Sequence, residues 1–365
     1  MTIFTLENLY TAYKDCIKRK KNTANALVFE MDREKNLSRL LYDLKTGRYE
    51  ISRHICFIVT HPSAREIFAA DFRDRIVHHL LYSQIQNLFE SDFIEHSYAN
   101  RVGKGTHKAM QTVRREFIRG GRNRQKLYYL KLDIQSFFRS INKEILYTIV
   151  EKKIQGQSQL MEAGVQREIL WLCKKIISHN PTSNYVYKGD IRKKSLIPKH
   201  KSLFYAEGRG LPIGNLTSQF FANVYLNKLD HFVTKDLGIE KYVRYVDDLV
   251  LIDENRDKLK SFIKKVDEFL KEQLDMRLHR GKICLQETRK GVDFLGYFIK
   301  PTHTLVRQKV VRRFKNKFFK ILDEKTGFIE LSDIPMIKSY QGHFSHANSY
   351  NLQKRFGIII SQYHA

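Results

Sequence analysis

Two adjacent carboxylates, Asp247 and Asp248, are the groups in this sequence best placed to do chemistry. They stand between two short runs of β-prone residues, 242–245 and 249–252. This pattern predicts a strand–turn–strand with the acids at its tip. Carboxylate oxygens are the ligands that Mg²⁺ prefers, and a hairpin would hold them rigidly. The alternative for an isolated Asp-Asp pair is a solvated turn.

A third carboxylate, Asp133, follows the largely apolar run 127–132, which predicts a buried strand. A charge at that place is costly unless it is paired or bound to metal. Taken alone, Asp133 is better explained as the N-cap of a helix over residues 134–150. Together with Asp247 and Asp248 it makes a set of three carboxylates from two strands. That set matches the ligands of two metal ions, about 3.5–4 Å apart, that catalyse phosphoryl transfer.

The charge balance predicts a polyanionic partner. Lys and Arg total 65 against 39 Asp and Glu, which gives a net charge of +26. Such a surplus attracts nucleic acid in a salt-sensitive way. An anionic membrane is the alternative, but no long apolar run or amphipathic anchor supports it.

Basic residues concentrate in segments 101–126 and 307–320. A charge run is usually only a solvated face. In the second segment Phe314, Phe318 and Phe319 alternate with the charges. This mixture predicts a helix with one packed side and one side that follows a nucleic-acid backbone.

The cysteines and histidines do not form a metal-binding pattern. Four cysteines, at positions 16, 56, 173 and 284, lack metal-type spacing, and no signal peptide precedes them. Free thiols and a cytoplasmic location are therefore expected. The pair at 78–79 and the tail residues His343 and His346 have neither nearby cysteines nor an HExxH pattern. For the tail histidines we expect packing or a phosphate contact.

Ordered segments over nearly the whole chain resemble the motifs of reverse transcriptases. They are a fingers motif (97–109), a first palm motif (133–138), a middle motif (210–219), the signature Tyr-Val-Asp-Asp (245–248) and two later palm motifs (281–282 and 294–297). The resemblance implies an α+β, right-hand polymerase with fingers, a palm built on an antiparallel sheet, and a helical thumb. The predicted lobes are a helical extension (1–50), fingers (51–126), palm (127–301, with a basic insertion near 180–209) and thumb (302–365).

Details of the middle motif point to a subtype. Related enzymes usually carry Gln-Gly and Ser-Pro where this chain has Ile213-Gly214 and Ser218-Gln219. With the tail at 339–347, this variant resembles reverse transcriptases of diversity-generating retroelements. Those enzymes copy a template RNA into cDNA unfaithfully at adenines and act with a small basic accessory variability protein.

Other assignments remain open beside this one. Within the same class, the alternatives are a group II intron-like, retron or phage-defence reverse transcriptase. In a different class, the chain would be a catalytically silent RNA-binding protein, although the intact acids argue against it.

The resemblance also assigns catalytic roles. Asp133, Asp247 and Asp248, with the backbone carbonyl of Ile134, would bind two Mg²⁺ ions, for which Mn²⁺ substitutes. Lys282 matches a palm lysine proposed to protonate pyrophosphate. A solvated lysine in a turn explains Lys282 equally well.

Further positions are implied for substrate binding. Phe138 matches the aromatic steric gate that excludes a ribose 2′-hydroxyl, and Phe137 competes for that role. The dNTP triphosphate would meet arginines of the fingers, which are also explained as a local ion-pair cluster. The predicted nucleotide-binding residues are Arg65, Arg73, Arg75, Ile134, Phe138, Ile213 and Gly214. The predicted template and primer contacts are Arg101, Gln219, Tyr245, Leu295 and Gly296.

Overall fold

The computed structural model describes residues 2–18, 23–61, 63–122, 126–157, 161–324 and 329–358, with the backbone alone at 121–122 and 323–324. Within these ranges the helices are α1 (Leu6–Ile17), α2 (Ala24–Met31), α3 (Arg33–Lys45), α4 (Phe72–Glu90), α5 (Thr106–Arg122), α6 (Phe137–Ser140), α7 (Lys143–Gln155), α8 (Ala163–Ser178), α9 (Leu216–His231), α10 (Arg256–Leu274), α11 (Gln308–Glu324), α12 (Ile334–Phe344) and α13 (Tyr350–Arg355). The strands are β1 (His54–Val59), β2 (Arg65–Ala69), β3 (Tyr128–Asp133), β4 (Tyr185–Tyr187), β5 (Lys241–Tyr245), β6 (Asp248–Asp253), β7 (Cys284–Glu287), β8 (Val292–Phe294), β9 (Tyr297–Ile299) and β10 (Thr304–Val306).

The strands form three sheets, in the orders β2-β1-β4, β10-β9-β8 and β5-β6-β3-β7. Their pairings are antiparallel except for β1 with β4. Helices and largely antiparallel sheets together confirm the predicted α+β class.

The chain divides into two compact units, each made of three segments. The first unit comprises residues 1–95, 134–236 and 265–279, and the second comprises 96–133, 237–264 and 280–365. The predicted palm, 127–301, contributes to both units. The boundaries of the four predicted lobes stay a prediction.

In the first unit, the helical N-terminal region leads to a three-stranded sheet. Thr5 caps α1, its side chain accepting a hydrogen bond from the backbone N–H of Asn8 at 3.1 Å. β1 and β2 form an antiparallel hairpin, with Ile55 opposite Ala69.

The basic insertion near 180–209 returns to this sheet. Its strand β4 pairs in parallel with β1, and three short 3₁₀ helices follow, at Ile191–Leu196, Lys199–Lys201 and Leu203–Tyr205. The basic insertion is therefore a short edge strand followed by a series of turns. Short turns of this kind suit a segment that is interrupted by proline and glycine.

The alternative in which Asp133 caps a helix over residues 134–150 is wrong. Asp133 is the last residue of β3, and Ser136 has a left-handed backbone with φ of 48°. The long helix begins only at α7, because Asn142 caps it there. The Asn142 side-chain oxygen accepts hydrogen bonds from the N–H groups of Glu144 and Ile145 at 3.0 and 3.2 Å.

Helix α9 forms the centre of the first unit. Most of its residues are buried, including Phe220, Phe221, Val224 and Tyr225. A helix that is buried on most of its sides belongs to a core. The ring of Phe220 makes edge contacts with Tyr82 and Phe89, both on α4.

In the second unit, helix α5 and strands β8 and β9 pack on one face of the sheet β5-β6-β3-β7. The shared core contains residues from each of these elements, among them Val113, Phe117, Tyr129, Val250 and Phe294. On the other face Leu130, Leu132, Leu249 and Leu251 are all fully buried. Both faces of the central strands are covered.

Helices α11, α12 and α13 form a second cluster in this unit. Phe314 and Phe318 of α11 are buried in it with Ile337 and Phe344 of α12. Lys309, Arg312 and Lys315 are exposed, so α11 has the expected packed and basic sides. The prediction for Phe319 was wrong, since its side chain is 42% exposed.

The four cysteines are free, as expected. Over the described part of the chain, no helix is both long and apolar enough to span a bilayer.

Candidate active site

Asp133, Asp248 and Tyr245 lie side by side across three strands of the second unit. Asp133 of β3 is the pairing partner of Asp248 of β6, and Asp248 is the partner of Tyr245 of β5. Residues directly opposite each other point to the same face of a sheet. Asp247 precedes Asp248 in the turn between β5 and β6. The sheet register therefore brings the carboxylates from two distant parts of the sequence together.

Two lysines form ion pairs with these carboxylates. The ammonium of Lys282 lies 2.7 Å from the Asp133 carboxylate. The ammonium of Lys131 lies 3.5 Å from the Asp248 carboxylate and donates a hydrogen bond to the Asp293 carbonyl at 2.8 Å. Lys131 precedes Asp133 by two residues on β3, so both side chains share one face. Each of the two opposed acids therefore has a lysine as its partner.

The turn that carries Asp247 has a strained backbone. Val246 has a φ of 54°, which is rare for a β-branched residue. The fully buried Arg244 donates a hydrogen bond to the Val246 carbonyl at 3.3 Å. The backbone of Arg244 also bonds to the His96 carbonyl and to the Tyr98 N–H, both at 3.0 Å. The fingers motif therefore supports the strand that leads into the turn.

Burial and mutual repulsion raise the pKa values of Asp247 and Asp248. Burial, followed by the charges of Asp248 and Asp133, raises the pKa of Asp247 to about 6. Burial also raises the pKa of Asp248, an effect that nearby Lys131 opposes and Asp133 reinforces. Repulsion between carboxylates is relieved by a bound cation.

The donor chemistry of this set fits a divalent metal. Its side-chain donors are carboxylate oxygens, and a divalent cation would relieve the repulsion that the two lysines now offset. No three His, Cys, Asp or Glu side chains are already arranged around a metal position anywhere in the described ranges. Here Lys131 and Lys282 neutralise Asp248 and Asp133.

The predicted template and primer residues of the second unit surround the same sheet. The Tyr245 hydroxyl accepts a hydrogen bond from the Thr106 hydroxyl at 3.0 Å, and Arg101 donates one to the Ser97 carbonyl at 2.9 Å. Leu295 and Gly296 form the turn between β8 and β9 and have φ values of 51° and 91°.

The predicted nucleotide-binding residues, together with Gln219, belong to the first unit. Phe137 is buried, at 3% exposure, whereas Phe138 is half-buried. The carbonyl of Phe138 accepts a hydrogen bond from the N–H of Leu211 at 2.9 Å. The candidate gate is therefore tied to the middle motif, and Phe137 has the environment of a core residue. Ile134 is buried and Gln219 is half-buried on α9.

The middle motif is anchored on strand β2. The Ile213 carbonyl accepts from the N–H of Phe68, and the Asn215 side-chain oxygen accepts from the N–H of Ala70, both at 3.0 Å. A Cβ on Gly214 would lie 2.9 Å from the Ile67 side chain, and Gly214 has a φ of 124°. Only glycine fits this close approach without a shift.

The three arginines differ in their surroundings. Arg65 is exposed at the start of β2. Arg73 forms an ion pair with Asp43 at 2.7 Å and lies over the Tyr49 ring, at 5.0 Å from its centre. The Nε of Arg75 donates to the Ala70 carbonyl at 2.8 Å. These contacts favour the ion-pair alternative for Arg73.

Lys131 and Arg244 were not predicted as site residues. Lys131 could have been found from the sequence, because residues two apart on a strand point the same way. The role of Arg244 depends on a hydrogen bond within the turn and on pairing with residues 96–98, which local pattern does not reveal.

Two opposed carboxylates on a sheet, with a third acid in the adjoining turn, match the set of ligands expected for phosphoryl transfer with two metal ions. Residues 61–299 match the family described as Reverse transcriptase (RNA-dependent DNA polymerase). The chain belongs to that family, which confirms the predicted right-hand polymerase class and makes its domain that of an RNA-directed DNA polymerase.

Two relatives illustrate the range of similar proteins. Protein YkfC of Escherichia coli (strain K12) is 23% identical over 301 residues, covering 73% of this chain and 70% of that protein. Group II intron-encoded protein LtrA of Lactococcus lactis subsp. cremoris is 22% identical over 230 residues, covering 61% of this chain and 33% of LtrA. The chain thus spans about a third of the length of the intron protein.

Solved structures of telomerase are also similar. Apo telomerase from Candida tropicalis, truncated from its C-terminal domain, has a TM-score of 0.49 at 12% identity, covering 73% of this chain and 58% of that chain. Telomerase from Candida albicans in complex with a fragment of telomeric RNA has a TM-score of 0.47 at 13% identity, covering 80% and 55%.

Proposed function

We propose that this protein copies a template RNA into cDNA from dNTPs. The observation that carries the proposal is the pairing of Asp133 with Asp248, beside Asp247, within a domain of the reverse transcriptase family. Carboxylates retained at all three positions argue against a catalytically silent RNA-binding protein.

The reaction is attack of a primer 3′-hydroxyl on the α-phosphate of a dNTP. Asp133, Asp247 and Asp248, with the Ile134 carbonyl, would hold two Mg²⁺ ions, or Mn²⁺ in their place. Ions bound there would lower the pKa of the hydroxyl and neutralise charge on the departing pyrophosphate. Lys282, once it no longer pairs with Asp133, becomes the proton donor to pyrophosphate.

Selection of the nucleotide is assigned to the first unit. The half-buried ring of Phe138 would exclude a 2′-hydroxyl, and Arg65 and Arg75 would contact the triphosphate through guanidinium groups. Arg73 already has a carboxylate partner, so it would orient the fingers rather than bind substrate.

At the level of subtype, we infer an error-prone enzyme of a diversity-generating retroelement that acts with a small accessory variability protein. Ile213 in the middle motif supports this assignment. An intron-type enzyme is the second candidate, because LtrA and other intron-encoded proteins are among the relatives. The rate of misincorporation opposite template adenine distinguishes the two.

Primer extension on an RNA template tests the main proposal. Asp247→Asn should abolish cDNA synthesis, because it removes a metal ligand, and should leave RNA affinity nearly unchanged because the basic surface is intact. Asp236→Asn, a substitution outside the proposed site, is the matched control. Near wild-type synthesis by the Asp247 variant would refute the proposed function.

A further inference from the structure

The turn between β8 and β9 is fitted closely to a histidine of helix α12. Leu295 and Gly296 both have positive φ, which makes the turn tight. A Cβ added to Gly296 would lie 3.1 Å from the His343 imidazole. The Nε2 atom of His343 lies 3.4 Å from the Gly296 carbonyl. The imidazole therefore packs directly against this turn.

The hydroxyl of Tyr297, the first residue of β9, joins three elements of the second unit. It lies 3.1 Å from Nδ1 of His107, at the start of α5, and 3.1 Å from Nδ1 of His343. It also donates a hydrogen bond to the His343 carbonyl at 2.9 Å. One hydroxyl thus connects β9, α5 and α12.

Ring stacking reinforces these bonds. Tyr297 and His343 stack with ring centres 4.3 Å apart, and His107 and His346 stack at 3.7 Å. Burial, then His346 and His343, lowers the pKa of His107. Burial also lowers the pKa of His343, and His346 adds to the effect. Near neutral pH these two rings are therefore uncharged.

A neutral His343 can donate a hydrogen bond from only one of its two ring nitrogens. Its Nδ1 faces the Tyr297 hydroxyl and its Nε2 faces the Gly296 carbonyl, but a neutral imidazole has a single N–H. When the hydroxyl donates to the His343 carbonyl, Nδ1–H donates to the hydroxyl and Nε2 is left without a proton. An imidazolium would donate to both the hydroxyl and the Gly296 carbonyl.

We propose that His343 is a positioning residue that holds the Leu295-Gly296 turn for the primer strand, more firmly when its imidazole is protonated. The inference rests on the proposed function, in which this turn contacts the primer. The ionisable groups around His343 are His107 from α5, Tyr297 from β9 and His346 after α12. Just before α11, the backbone N–H of Arg307 donates a hydrogen bond to the Gly296 carbonyl at 2.9 Å, and on α11 the apolar Val310 faces Gly296.

A separate contact keeps the thumb helices in place when His343 is changed. The N–H of Thr304 donates to the Asn348 side chain at 2.9 Å, and the N–H of Asn348 donates to the Thr304 carbonyl at 2.7 Å. Phe314 and Phe344 are fully buried beside them. His343→Phe keeps a ring on Tyr297 and removes both nitrogens, so it tests the polar contacts alone.

The experiment measures nucleotides added per binding event on a primed RNA template, at pH 6 and pH 8. His343→Phe should fold and bind the template–primer like wild type but lower this number about tenfold, as expected for loss of the polar contacts between the imidazole and the turn. The ratio of wild type to variant should be larger at pH 6. His343→Gln, which keeps a donor and an acceptor, should recover most of the loss, and His200→Phe is the exposed matched control.

Equal extension by wild type and His343→Phe, with a ratio independent of pH, would overturn the positioning role. If His343→Phe does not fold, Tyr297→Phe, which removes the hydroxyl that His343 Nδ1 contacts, should lower extension in the same direction, and wild-type extension by a folded Tyr297→Phe protein would overturn the role. Absence of synthesis by the wild-type protein would instead refute the proposed function, so the two failures are distinguishable.

Discussion

At the residue scale, Asp247 combines a predicted catalytic role with a cost to the metal-free fold. Burial and the neighbouring carboxylates raise its pKa from 3.8 to about 6. Between these values the folded protein binds more protons than the unfolded chain, so this residue lowers the free energy of unfolding as pH rises. The ionised form is therefore the destabilising one.

Replacing this carboxylate should stabilise the protein. In EDTA at pH 8, Asp247→Asn should raise the melting temperature by a few degrees, because it removes a repelled buried charge. Near pH 4 the two proteins should melt alike, since the wild-type residue is protonated there. Thermal melts across this pH range check both points. A variant that is less stable than wild type at pH 8 would contradict the electrostatic account.

Substitutions of the two phenylalanines after Asp133 should have different effects, one on nucleotide selection and the other on stability. Phe138→Ala should let rNTPs compete with dNTPs, because the half-buried ring that would exclude a 2′-hydroxyl is removed. Phe137→Ala should mainly destabilise the fold, by about 3–5 kcal/mol for a buried phenylalanine. Competition assays and denaturant unfolding measure the two effects. Unchanged rNTP exclusion in a folded Phe138→Ala protein would remove it as the gate.

At the element scale, the loop of the middle motif is anchored by hydrogen bonds that do not involve the Ile213 side chain. The effect of that side chain can therefore be tested separately. The Ile213 carbonyl and the Asn215 side chain bond to β2, and neither bond involves the Ile213 side chain. A substitution there changes hydrogen-bonding capacity while the loop keeps its anchors.

Ile213→Gln should therefore raise fidelity at template adenine. The isoleucine side chain has no group that can hydrogen-bond to a correctly placed nucleotide, whereas the glutamine side chain has one. One polar contact is worth about 1–3 kcal/mol, or roughly ten- to a hundredfold in discrimination. Sequencing cDNA made on an adenine-containing template measures the change. If the adenine error rate stays the same in an active variant, Ile213 only packs beneath Pro212 and fidelity is set elsewhere.

The strands that carry the site could be predicted from the sequence where the pattern lies within one short segment. Alternating and apolar runs gave β3, β5 and β6, and the two acids at a hairpin tip followed from them. The pairing of Asp133 with Asp248 joins strands more than a hundred residues apart, so only motif order indicated it. The contact of Lys131 with Asp293 and the histidines around Tyr297 depend on packing between distant elements, which no local periodicity encodes.

At the scale of the whole molecule, the charge of +26 should dominate RNA binding. Exposed basic residues such as Lys309, Arg312 and Lys315 on α11 offer phosphate contacts without base-reading geometry. Affinity for unrelated single-stranded RNAs should be similar and should fall with salt, by ~0.7 log units per log unit of salt for each phosphate neutralised. Titrations at several salt concentrations measure the slope. Salt-insensitive binding to one RNA would show recognition by shape or bases instead.

The division of each unit into three chain segments bears on how this protein is made. Neither unit is a continuous stretch: the first is complete only once residue 279 has been synthesised, and its earliest segment ends at residue 95. Strand β3 likewise cannot complete its pairing until β6, its partner at Asp248, and then β7 have been synthesised. Pairing over such separations is slow, because distant segments must meet before any contact stabilises them. Nascent chains stalled before residue 248 should therefore expose β3 to chaperones and proteases.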